Sequence, residues 1–348
     1  MIRASALLTA LLLGVASAAI SKHYQDADHH DSPSSLPTKV LHQFPPPTWI
    51  ENLAVRKNGH VLLTQLRPEA ALLSLSRPWS QNPPVKLLHK FPSVNGLLGI
   101  AEPSSDVFVV VGSNFSGSGA QVNGTAETWL VDFRSNDYDR GPLVKHIAKH
   151  PDMAFPNGVA ALPYVDHAVL ISDSALGLVW RLCIQSGKAK VAVKLPEMAP
   201  VPGSPLQIGV NGIKVLDGYL YWSNTFAGKI YRIRIDQLGN PEPKARPELV
   251  YRETGYNLFV DDFAHDERGF WATTNQLNTV FHVATNGKSS TVAGSKDSPI
   301  VARDTSCAFG RTRRDGKTLY VVTGNAEAKG GQKARGGKVV AIDTTSVY

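Results

Sequence analysis

Short apolar runs separated by glycine turns recur along the whole chain. In the clearest unit, a polar residue opens the apolar run 211–215, a glycine turn leads to the run 218–222, and a third run covers 229–233. Runs of this length, bounded by Gly, Pro, Asn and Asp, are typical of β-strands. Similar units open at five other positions, which are Glu51, Leu97, Asn157, Asp261 and Thr305. The openings lie roughly 45–55 residues apart, the spacing of propeller blades.

One further strand-like run precedes each of the six openings, and the first of these covers residues 39–44. The last unit ends after its third run, so the spare run 39–44 can supply its missing fourth strand. Such closure leaves no broad sheet edge exposed. The sequence therefore predicts an all-β protein: a six-bladed β-propeller over residues 38–348, with four antiparallel strands per blade and a ring closed by strand 39–44 in blade six.

The N-terminus has the pattern of an export signal. Residues 1–18 combine an early Arg3, an apolar run and small residues at the end, and residues 19–37 are polar without periodicity. We interpret them as a signal peptide followed by a flexible tail, which predicts a protein that is secreted or resides in the secretory-pathway lumen. No later apolar run is long enough to span a bilayer, so membrane insertion is not expected. Two sequons predict glycosylation at Asn114 and Asn123.

Charge and cysteine content narrow the possible partners. The net charge is +7, but the basic residues are scattered, and the one cluster, Arg311, Arg313 and Arg314, precedes an Asp-Gly turn. We interpret the cluster as a solvated hairpin loop rather than a nucleic-acid patch, and we expect a monomer or weak dimer. Cys183 and Cys307 fall in blades on opposite sides of the predicted ring, beyond the reach of a disulfide. They are predicted to be buried free thiols.

The first residues of the inner strands should form a ring at one mouth of the channel. That ring is predicted to contain Glu51, Leu97, Asn157, Asn211, Asp261 and Thr305. Its carboxylate and amide members, Glu51, Asn157, Asn211 and Asp261, offer the hard oxygen ligands that Ca²⁺ or a similar divalent cation prefers. The alternative is that Asn-Gly and Asp at strand entries only cap turns. The sequence leaves both readings open.

Loops on the same face are predicted to add aromatic walls and hydrogen-bond donors. Asn224, Thr225 and Asn275 follow second strands, and the candidate walls are Trp49, Trp222, Phe226 and Trp271. Such a bowl suits a small, largely apolar ligand that carries a few oxygens. Trp222 and Trp271 are alternatively explained as packing between blades. The chain has no nucleophile elbow, zinc-protease helix, P-loop or dinucleotide fingerprint.

The blade pattern resembles the gluconolactonase and senescence-marker-protein superfamily of six-bladed propellers. That resemblance rests on Glu51, Asn157, Asn211 and Asp261 at successive inner-strand entries. It implies that these four residues hold a divalent cation, that metal-activated water opens a lactone, and that Asp261 doubles as the base. A metal-dependent lactonase or esterase-like hydrolase is one functional hypothesis.

A narrower resemblance involves exported fungal propellers that act as hetero-Diels–Alderases in tropolone–sesquiterpenoid and related meroterpenoid pathways. The matching segments are 155–158, 210–213, 261–263 and 305–310. The resemblance implies that an ortho-quinone methide is joined to a humulene-type olefin, with no cofactor required. The candidate donors to the quinone-methide oxygen are then Asn157, Asn211, Asn224, Thr225 and Asn275. This pericyclic cyclase is our leading hypothesis, ahead of the lactonase and of a propeller that binds a small molecule without catalysis.

Overall fold

The computed structural model describes residues 35–117, 119–134, 141–253, 259–326 and 333–347. The predicted signal peptide and most of the predicted tail lie outside the described residues. Within the described ranges, no helix is long or apolar enough to cross a membrane. The helices there are two short 3-10 turns, Pro196–Met198 and Asn275–Leu277.

The strands form six sheets of four antiparallel strands each, which confirms the predicted propeller. Blades one and two contain β2 (Trp49–Val55), β3 (Val61–Arg67), β4 (Ala71–Leu75), β5 (Val85–Lys90), β6 (Gly96–Ser104), β7 (Val107–Ser113), β8 (Ala126–Asp132) and β9 (Leu143–His150). Blades three and four contain β10 (Pro156–Leu162), β11 (Val165–Asp173), β12 (Leu178–Cys183), β13 (Ala189–Lys194), β14 (Val210–Leu216), β15 (Tyr219–Asn224), β16 (Lys229–Arg234) and β17 (Glu248–Arg252). Blade five contains β18 (Phe263–Asp266), β19 (Gly269–Thr273), β20 (Thr279–Ala284) and β21 (Ser289–Gly294).

Blade six combines the two ends of the chain. Its strands are β22 (Asp304–Phe309), β23 (Thr318–Thr323) and β24 (Lys338–Asp343), with β1 (Thr38–Gln43) as the outermost strand. β1 runs antiparallel to β24, with Val40 opposite Val340. The prediction that run 39–44 closes the ring is confirmed. β1 thus supplies the outer fourth strand that the C-terminal part of the chain lacks, and blade six matches the other five.

The hydrophobic core lies between the blades. Each described cluster of buried side chains joins neighbouring sheets, and the largest fully buried residues include Trp222 and Trp271. Trp222 packs with residues of blades three and four, such as Leu170 and Val193. Burying a side chain of this kind contributes on the order of 1.5–3 kcal/mol. The strands thus become stable only when the blades stack, which fixes the inner strands around one axis.

A β-bulge marks the mouth end of each inner strand. In β2, Ile50 faces Gln65 while Asn52 faces Thr64, so Glu51 is an extra residue. The registers of β6, β10, β14 and β22 shift in the same region. Before β18, the N–H of Asp261 and the carbonyl of Asp262 both bond to the backbone of Thr273, at 2.8 and 3.0 Å. A bulge re-aims side chains that regular pleating would alternate across the sheet.

Hydroxyl groups link the bulges of neighbouring blades at five of the six joints among the described residues. On the second strands, Ser172 and Ser223 donate to the carbonyl oxygens of Asn211 and Asp261, both at 2.6 Å. Thr64 donates to the carbonyl of Leu98 at 2.6 Å, and Thr273 to that of Thr305 at 3.1 Å. Each buried hydroxyl contributes about 1 kcal/mol net. Thr305 donates to the Ile50 carbonyl at 2.8 Å, across the joint that closes the ring.

The two cysteines are unpaired, as predicted. Cys307 lies in the core and its thiol donates to the carbonyl of Trp271 at 3.2 Å. Cys183 is only half-buried, so the prediction that both thiols are buried is wrong for this residue. It ends β12 at a hairpin on the far face, where the side chain reaches solvent. The sequence pattern showed the strand but not how far the neighbouring blade covers its end.

The arginine cluster lies in the connection between β22 and β23, on the face opposite the bulges. Arg311 donates to the Val55 carbonyl at 2.8 Å and forms an ion pair with Glu102. The guanidinium of Arg314 lies 5.6 Å from the centre of the Trp79 ring. The hairpin loop that the sequence predicted is therefore present, with two of its arginines packed against other blades.

Candidate functional site

The bulges bring one residue from each blade to a common level at the channel mouth. We call these the ring residues: Glu51, Leu98, Asn157, Asn211, Asp261 and Thr305. The sequence placed Leu97 in this ring, and that assignment is off by one. The carbonyl of Leu98 accepts the Thr64 hydroxyl just as the carbonyl of Asn211 accepts that of Ser172. Leu97 instead packs in the core between blades one and two.

Glycines behind the ring allow the inner strands to approach closely. A Cβ atom on Gly158 would lie 2.6 Å from the carbonyl oxygen of Asn211, and one on Gly99 would lie 2.2 Å from that of Asn157. A Cβ on Gly212 would lie 2.1 Å from Oδ1 of Asp262. The Asn-Gly pairs therefore serve close backbone packing rather than a turn. The turn-capping reading of these pairs is wrong.

Asp261 is the centre of a hydrogen-bonded cluster in the ring. Its Oδ1 accepts an N–H from Asn211 at 2.7 Å, and its Oδ2 accepts one from Asn275 at 2.8 Å. The amide nitrogen of Asn211 also donates to Oγ1 of Thr225 at 3.0 Å. Both N–H groups of Asn211 are thus used inside the protein. Asn275 sits in a loop with φ of 47° and donates one N–H in the described structure, which leaves its second for a ligand.

Glu51 adds a second carboxyl group at the mouth. Its Oε2 accepts the indole N–H of Trp49 at 2.5 Å, and the side chain is half-buried. Burial raises the pKa of Glu51 to about 7; the Trp49 bond opposes this and the Asp262 charge adds to it. The pKa of Asp261 is raised by burial first and then by the charge of Glu51. Both shifts are towards the neutral carboxylic acid, the form that can donate a hydrogen bond.

Asp304 occupies a position that other blades fill with an apolar side chain. It directly precedes a ring residue, as do Ile50, Leu97, Val210 and Val260, and it is 0% exposed. Its Oδ2 accepts the N–H of Thr274 at 3.1 Å, whereas Oδ1 has no partner in the described structure. Burial raises its pKa. Asp304 thus holds the loop that carries Asn275, and the sequence analysis missed it.

A second polar layer lies directly behind the ring. Asp262 accepts Nζ of Lys214 at 2.6 Å, the Ser306 hydroxyl at 2.8 Å and the Asn52 amide at 3.3 Å. The backbone N–H of Phe263 also donates to it at 2.8 Å. Asp262 is buried and, unlike Asp261, has a cationic partner. This network places satisfied polar groups directly behind the ring residues.

The blade two and three side of the mouth is apolar. Phe115 and Phe155 meet edge to face with ring centroids 6.0 Å apart, and both are half-buried. A Cβ on Gly96 would lie 3.0 Å from the Phe115 ring and 2.6 Å from Leu66, so this glycine makes room for them. With the ring residue Leu98 they form what we call the apolar half. The acid half comprises Glu51, Asp261 and Asn275.

Aromatic residues precede the ring residue by two positions in alternate blades. These are Trp49, Phe155 and Phe259, in blades one, three and five. Phe259 contacts Phe226 edge to face at 5.3 Å, and the guanidinium of Arg303 lies 5.4 Å from the centre of Trp49. Only Trp49 and Phe226 were among the predicted walls. An aromatic residue two positions before a ring residue recurs in the sequence, and this spacing could have identified Phe155 and Phe259.

Two predicted wall residues do not reach the mouth. Trp222 stacks on Tyr231 and donates to the carbonyl of Glu197 at 3.3 Å. Trp271 stacks on His282 and donates to Asp266 at 3.1 Å, close to the far face. Both are fully buried between blades, so the alternative of inter-blade packing is correct. Strand alternation turns their side chains away from the axis.

The other predicted donors differ in whether they keep an N–H or O–H group free for a ligand. Asn224 donates to the carbonyls of Glu197 and Ala199, at 3.0 and 2.9 Å, and accepts the N–H of Ala227, so it holds a loop. Thr225 is buried and accepts from Asn211. The Thr305 hydroxyl is used in ring closure. Asn157 donates one N–H, to Ser174 at 3.3 Å, and retains the other.

The residues proposed to hold a cation form a chemically suitable donor set. Glu51 and Asp261 have no ion-pair partner in the described structure, and the amide oxygens of Asn157 and Asn211 can complement them. No three His, Cys, Asp or Glu side chains converge on a metal position among the residues described. The set therefore fits a cation only if both amides contribute, as the sequence resemblance implies.

Both sequons lie in the loop between β7 and β8, on the mouth face. Asn123 is exposed, and Asn114 is half-exposed beside Phe115. The backbone N–H of Asn114 donates to the Thr125 hydroxyl at 3.0 Å. Glycosylation at these positions stays a prediction, and a glycan there would stand at the rim of the bowl.

Two curated relatives match most of the chain, although no protein-family model matches it. A protein of Phoma sp named "Putative hetero-Diels-Alderase" is 36% identical over 314 residues, covering 83% of this chain and 87% of that protein. The protein "Putative hetero-Diels-Alderase asR5" of Sarocladium schorii is 33% identical over 350 residues, covering 91% and 86%.

Solved structures share the architecture at low identity. Regucalcin of Agrobacterium tumefaciens, described as a calcium-binding protein, has a TM-score of 0.60 and 16% identity, covering 88% of this chain and 94% of that chain. A luciferin-regenerating enzyme has a TM-score of 0.61 and 12% identity, covering 90% and 96%. At such identity the likeness is one of fold alone.

Proposed function

The chain belongs to the hetero-Diels–Alderase family of its Phoma and Sarocladium relatives, and on that premise we propose that it catalyses a hetero-Diels–Alder cycloaddition between an ortho-quinone methide and a humulene-type sesquiterpene olefin. The observation that carries the proposal is the divided mouth. One side offers hydrogen bonds from the acid half, and the other offers the hydrocarbon side chains of the apolar half.

The reaction needs no nucleophile and no electron carrier. The exocyclic carbon of the quinone methide bonds to one olefin carbon, and its oxygen bonds to the other. Three π bonds become two σ bonds and one π bond, which gives a dihydropyran without loss or gain of atoms. Such a step depends on holding two partners in register, and ordering them in advance contributes up to about 7–11 kcal/mol.

Hydrogen bonding to the quinone-methide oxygen is the second contribution. Electron density on this oxygen increases as the ring becomes aromatic, so a donor fixed in place stabilises the transition state more than the ground state. The donors that the site leaves available are the second N–H groups of Asn157 and Asn275 and the acid protons of Glu51 and Asp261. Asn211 and Thr225 do not donate to the substrate themselves. They hold the Asp261 carboxyl group in its orientation.

The apolar half would also exclude water from the reacting pair. An ortho-quinone methide is hydrolysed by addition of water to its exocyclic carbon. The side chains of Phe115, Phe155 and Leu98 are hydrocarbon and offer water no hydrogen bond of their own. A dry surface on one side and a donor on the other is the arrangement that this reaction requires.

A second candidate function is divalent-metal-dependent hydrolysis of a lactone or ester. It is favoured by one observation: the half-buried Glu51 and the buried Asp261 have no ion pair with a cationic side chain among the described residues. Glu51, Asn157, Asn211 and Asp261 would hold the ion, which would supply a Lewis acid. In this chain, Asn275 and Trp49 would then orient the two carboxylates.

The test is to incubate the purified protein with a tropolonic quinone-methide precursor and a humulene-type alcohol, with and without a chelator. Chiral chromatography measures the rate of adduct formation and the ratio of stereoisomers. We expect faster formation of a single stereoisomer, unaffected by chelation. A racemic product at the uncatalysed rate would contradict the proposal for this substrate pair. Turnover of lactones that stops on chelation would instead support the second candidate.

A further inference from the structure

Two phenylalanine pairs occupy equivalent places at the mouth, two blades apart. In each pair, one ring comes from the loop after a second strand and the other from two positions before the next ring residue. Phe115 and Phe155 form the first pair, with centroids 6.0 Å apart, and Phe226 and Phe259 form the second, at 5.3 Å. Both pairs meet edge to face, the arrangement that aromatic quadrupoles favour.

The surroundings of the two pairs differ in polarity. Beside the first pair lie Leu98 and Leu66, whose side chains pack into the same cluster. The second pair is connected to the acid half through the backbone. Phe226 follows Thr225, whose carbonyl accepts the Val260 N–H at 3.3 Å, and Phe259 precedes Asp261 by two residues. Oxygen atoms of a ligand on this second pair are therefore within reach of Asp261 and Asn275.

We propose that the two pairs are separate subsites for the two substrates. The Phe115–Phe155 pair binds the hydrocarbon olefin, and the Phe226–Phe259 pair binds the planar, oxygen-bearing diene. This assignment rests on the proposed function and extends it, since it names the surface that receives each partner.

The physical reason for this assignment is that each substrate would lose favourable contacts if it bound at the other pair. A conjugated planar ring gains from aromatic contact and needs donors for its oxygen atoms. The second pair has Asp261 and Asn275 nearby, whereas the first pair has only the remaining N–H of Asn157. A hydrocarbon placed against Asp261 and Asn275 would cover the second N–H of Asn275 and the Asp261 carboxyl group without giving either a further hydrogen bond. Placed against Leu98, Phe115 and Phe155, the same hydrocarbon displaces only weakly held water.

Equilibrium binding to each subsite can be measured without turnover. The probes are α-humulene, which has no oxygen, and tropolone, which is planar and unreactive towards the olefin. Titration calorimetry on the full glycosylated protein gives both dissociation constants. We expect Phe155→Ala to weaken α-humulene binding about tenfold and to change tropolone binding less than about twofold, because one buried aromatic contact is lost. Phe226→Ala should give the reverse pattern.

The control is Tyr164→Ala, which removes an aromatic ring that is 84% exposed in the turn between β10 and β11, on the far face. It should change neither constant. Phe155→Leu and Phe226→Leu serve where an alanine variant loses its near-ultraviolet circular dichroism. The proposal is overturned if both variants weaken the same probe, or if each weakens both probes equally.

The same experiment separates this inference from the proposed function. Selective loss of one probe in each variant, with no adduct formed by the wild-type protein, would retain two subsites and reject the cycloaddition. If the wild-type protein forms the adduct but each variant weakens both probes equally, the cycloaddition is supported and the two subsites are rejected.

Discussion

The two halves of the channel mouth are built on the same backbone and have opposite chemistry. In the apolar half, the bulged strand β6 presents Leu98 beside Phe115 and Phe155. In the acid half, the equivalent bulges present Glu51 and Asp261, and Asn275 contacts the latter at 2.8 Å. The hydroxyl that reaches the Leu98 carbonyl has a counterpart reaching the Asp261 carbonyl, both at 2.6 Å. The propeller thus fixes where side chains stand, and the residue type alone decides what each side can bind.

The two halves also differ in their effect on the stability of the folded protein. Leu98 adds to a packed cluster, whereas the acid half buries carboxyl groups whose pKa values are raised. Asp304, next to it, has a buried oxygen with no partner in the described structure. Buried groups with raised pKa values are often found at functional sites, and this asymmetry is why we propose the acid half as the site of the chemistry.

Making the apolar half acidic should have the largest effect. Leu98→Asp puts a carboxyl group at a position that is 1% exposed and packed against Val109, Val111 and Val159. We expect the free energy of unfolding, measured in urea, to fall by roughly 3–5 kcal/mol. Leu98→Met, which conserves volume, should cost less than about 1.5 kcal/mol. Wild-type stability of Leu98→Asp would show that this half is hydrated.

Removing the central acid should affect the rate more than the fold. Asp261→Asn keeps the shape but removes the carboxyl group, and we expect the rate of adduct formation to fall about 100-fold. Stability should change little, because relief of desolvation offsets one lost amide bond. The neighbouring Asp262→Asn leaves Lys214 without its partner and should lower the free energy of unfolding by about 1–3 kcal/mol. A full rate in Asp261→Asn would remove this carboxyl group from the mechanism.

The smallest expected effect is a pH dependence that belongs to the acid half alone. The pKa of Glu51 in the fold, about 7, lies above its ordinary value of 4.5. The neutral acid is the form that the fold favours, so its contribution to stability is complete below that ordinary value and is lost as pH rises through 7. The donor is lost over the same range, and kcat/KM should fall about tenfold per pH unit above it.

Glu51→Gln is the matching control for this pH dependence. It keeps an acceptor for the Trp49 N–H and cannot ionise, so both the kcat/KM profile and the thermal stability should become flat near neutral pH. An unchanged inflection in the variant would assign the titration to another group. Leu98→Met should leave the inflection in place, because this variant adds no group that titrates in this range.

Sequence alone was sufficient for the architecture and for most of the ring. Six repeats of a polar opening and three apolar runs specified six blades, and the unmatched run 39–44 specified how the ring closes. The ring closes because the last unit has three strands and the run 39–44 supplies its fourth. The chemical types of Glu51, Asn157, Asn211 and Asp261 were also evident, since polar residues that open apolar runs contrast with their surroundings.

Tertiary structure decided which of these groups meet and which are available. A bulge adds one residue without altering the apolar pattern, so the sequence placed Leu97 where Leu98 stands. Trp222 and Trp271 have the composition of ligand walls, but blade stacking buries them. Phe115 and Phe155 come from different blades and become neighbours only through the ring. Local pattern determines elements, whereas burial and hydrogen-bond partners depend on contacts between distant segments.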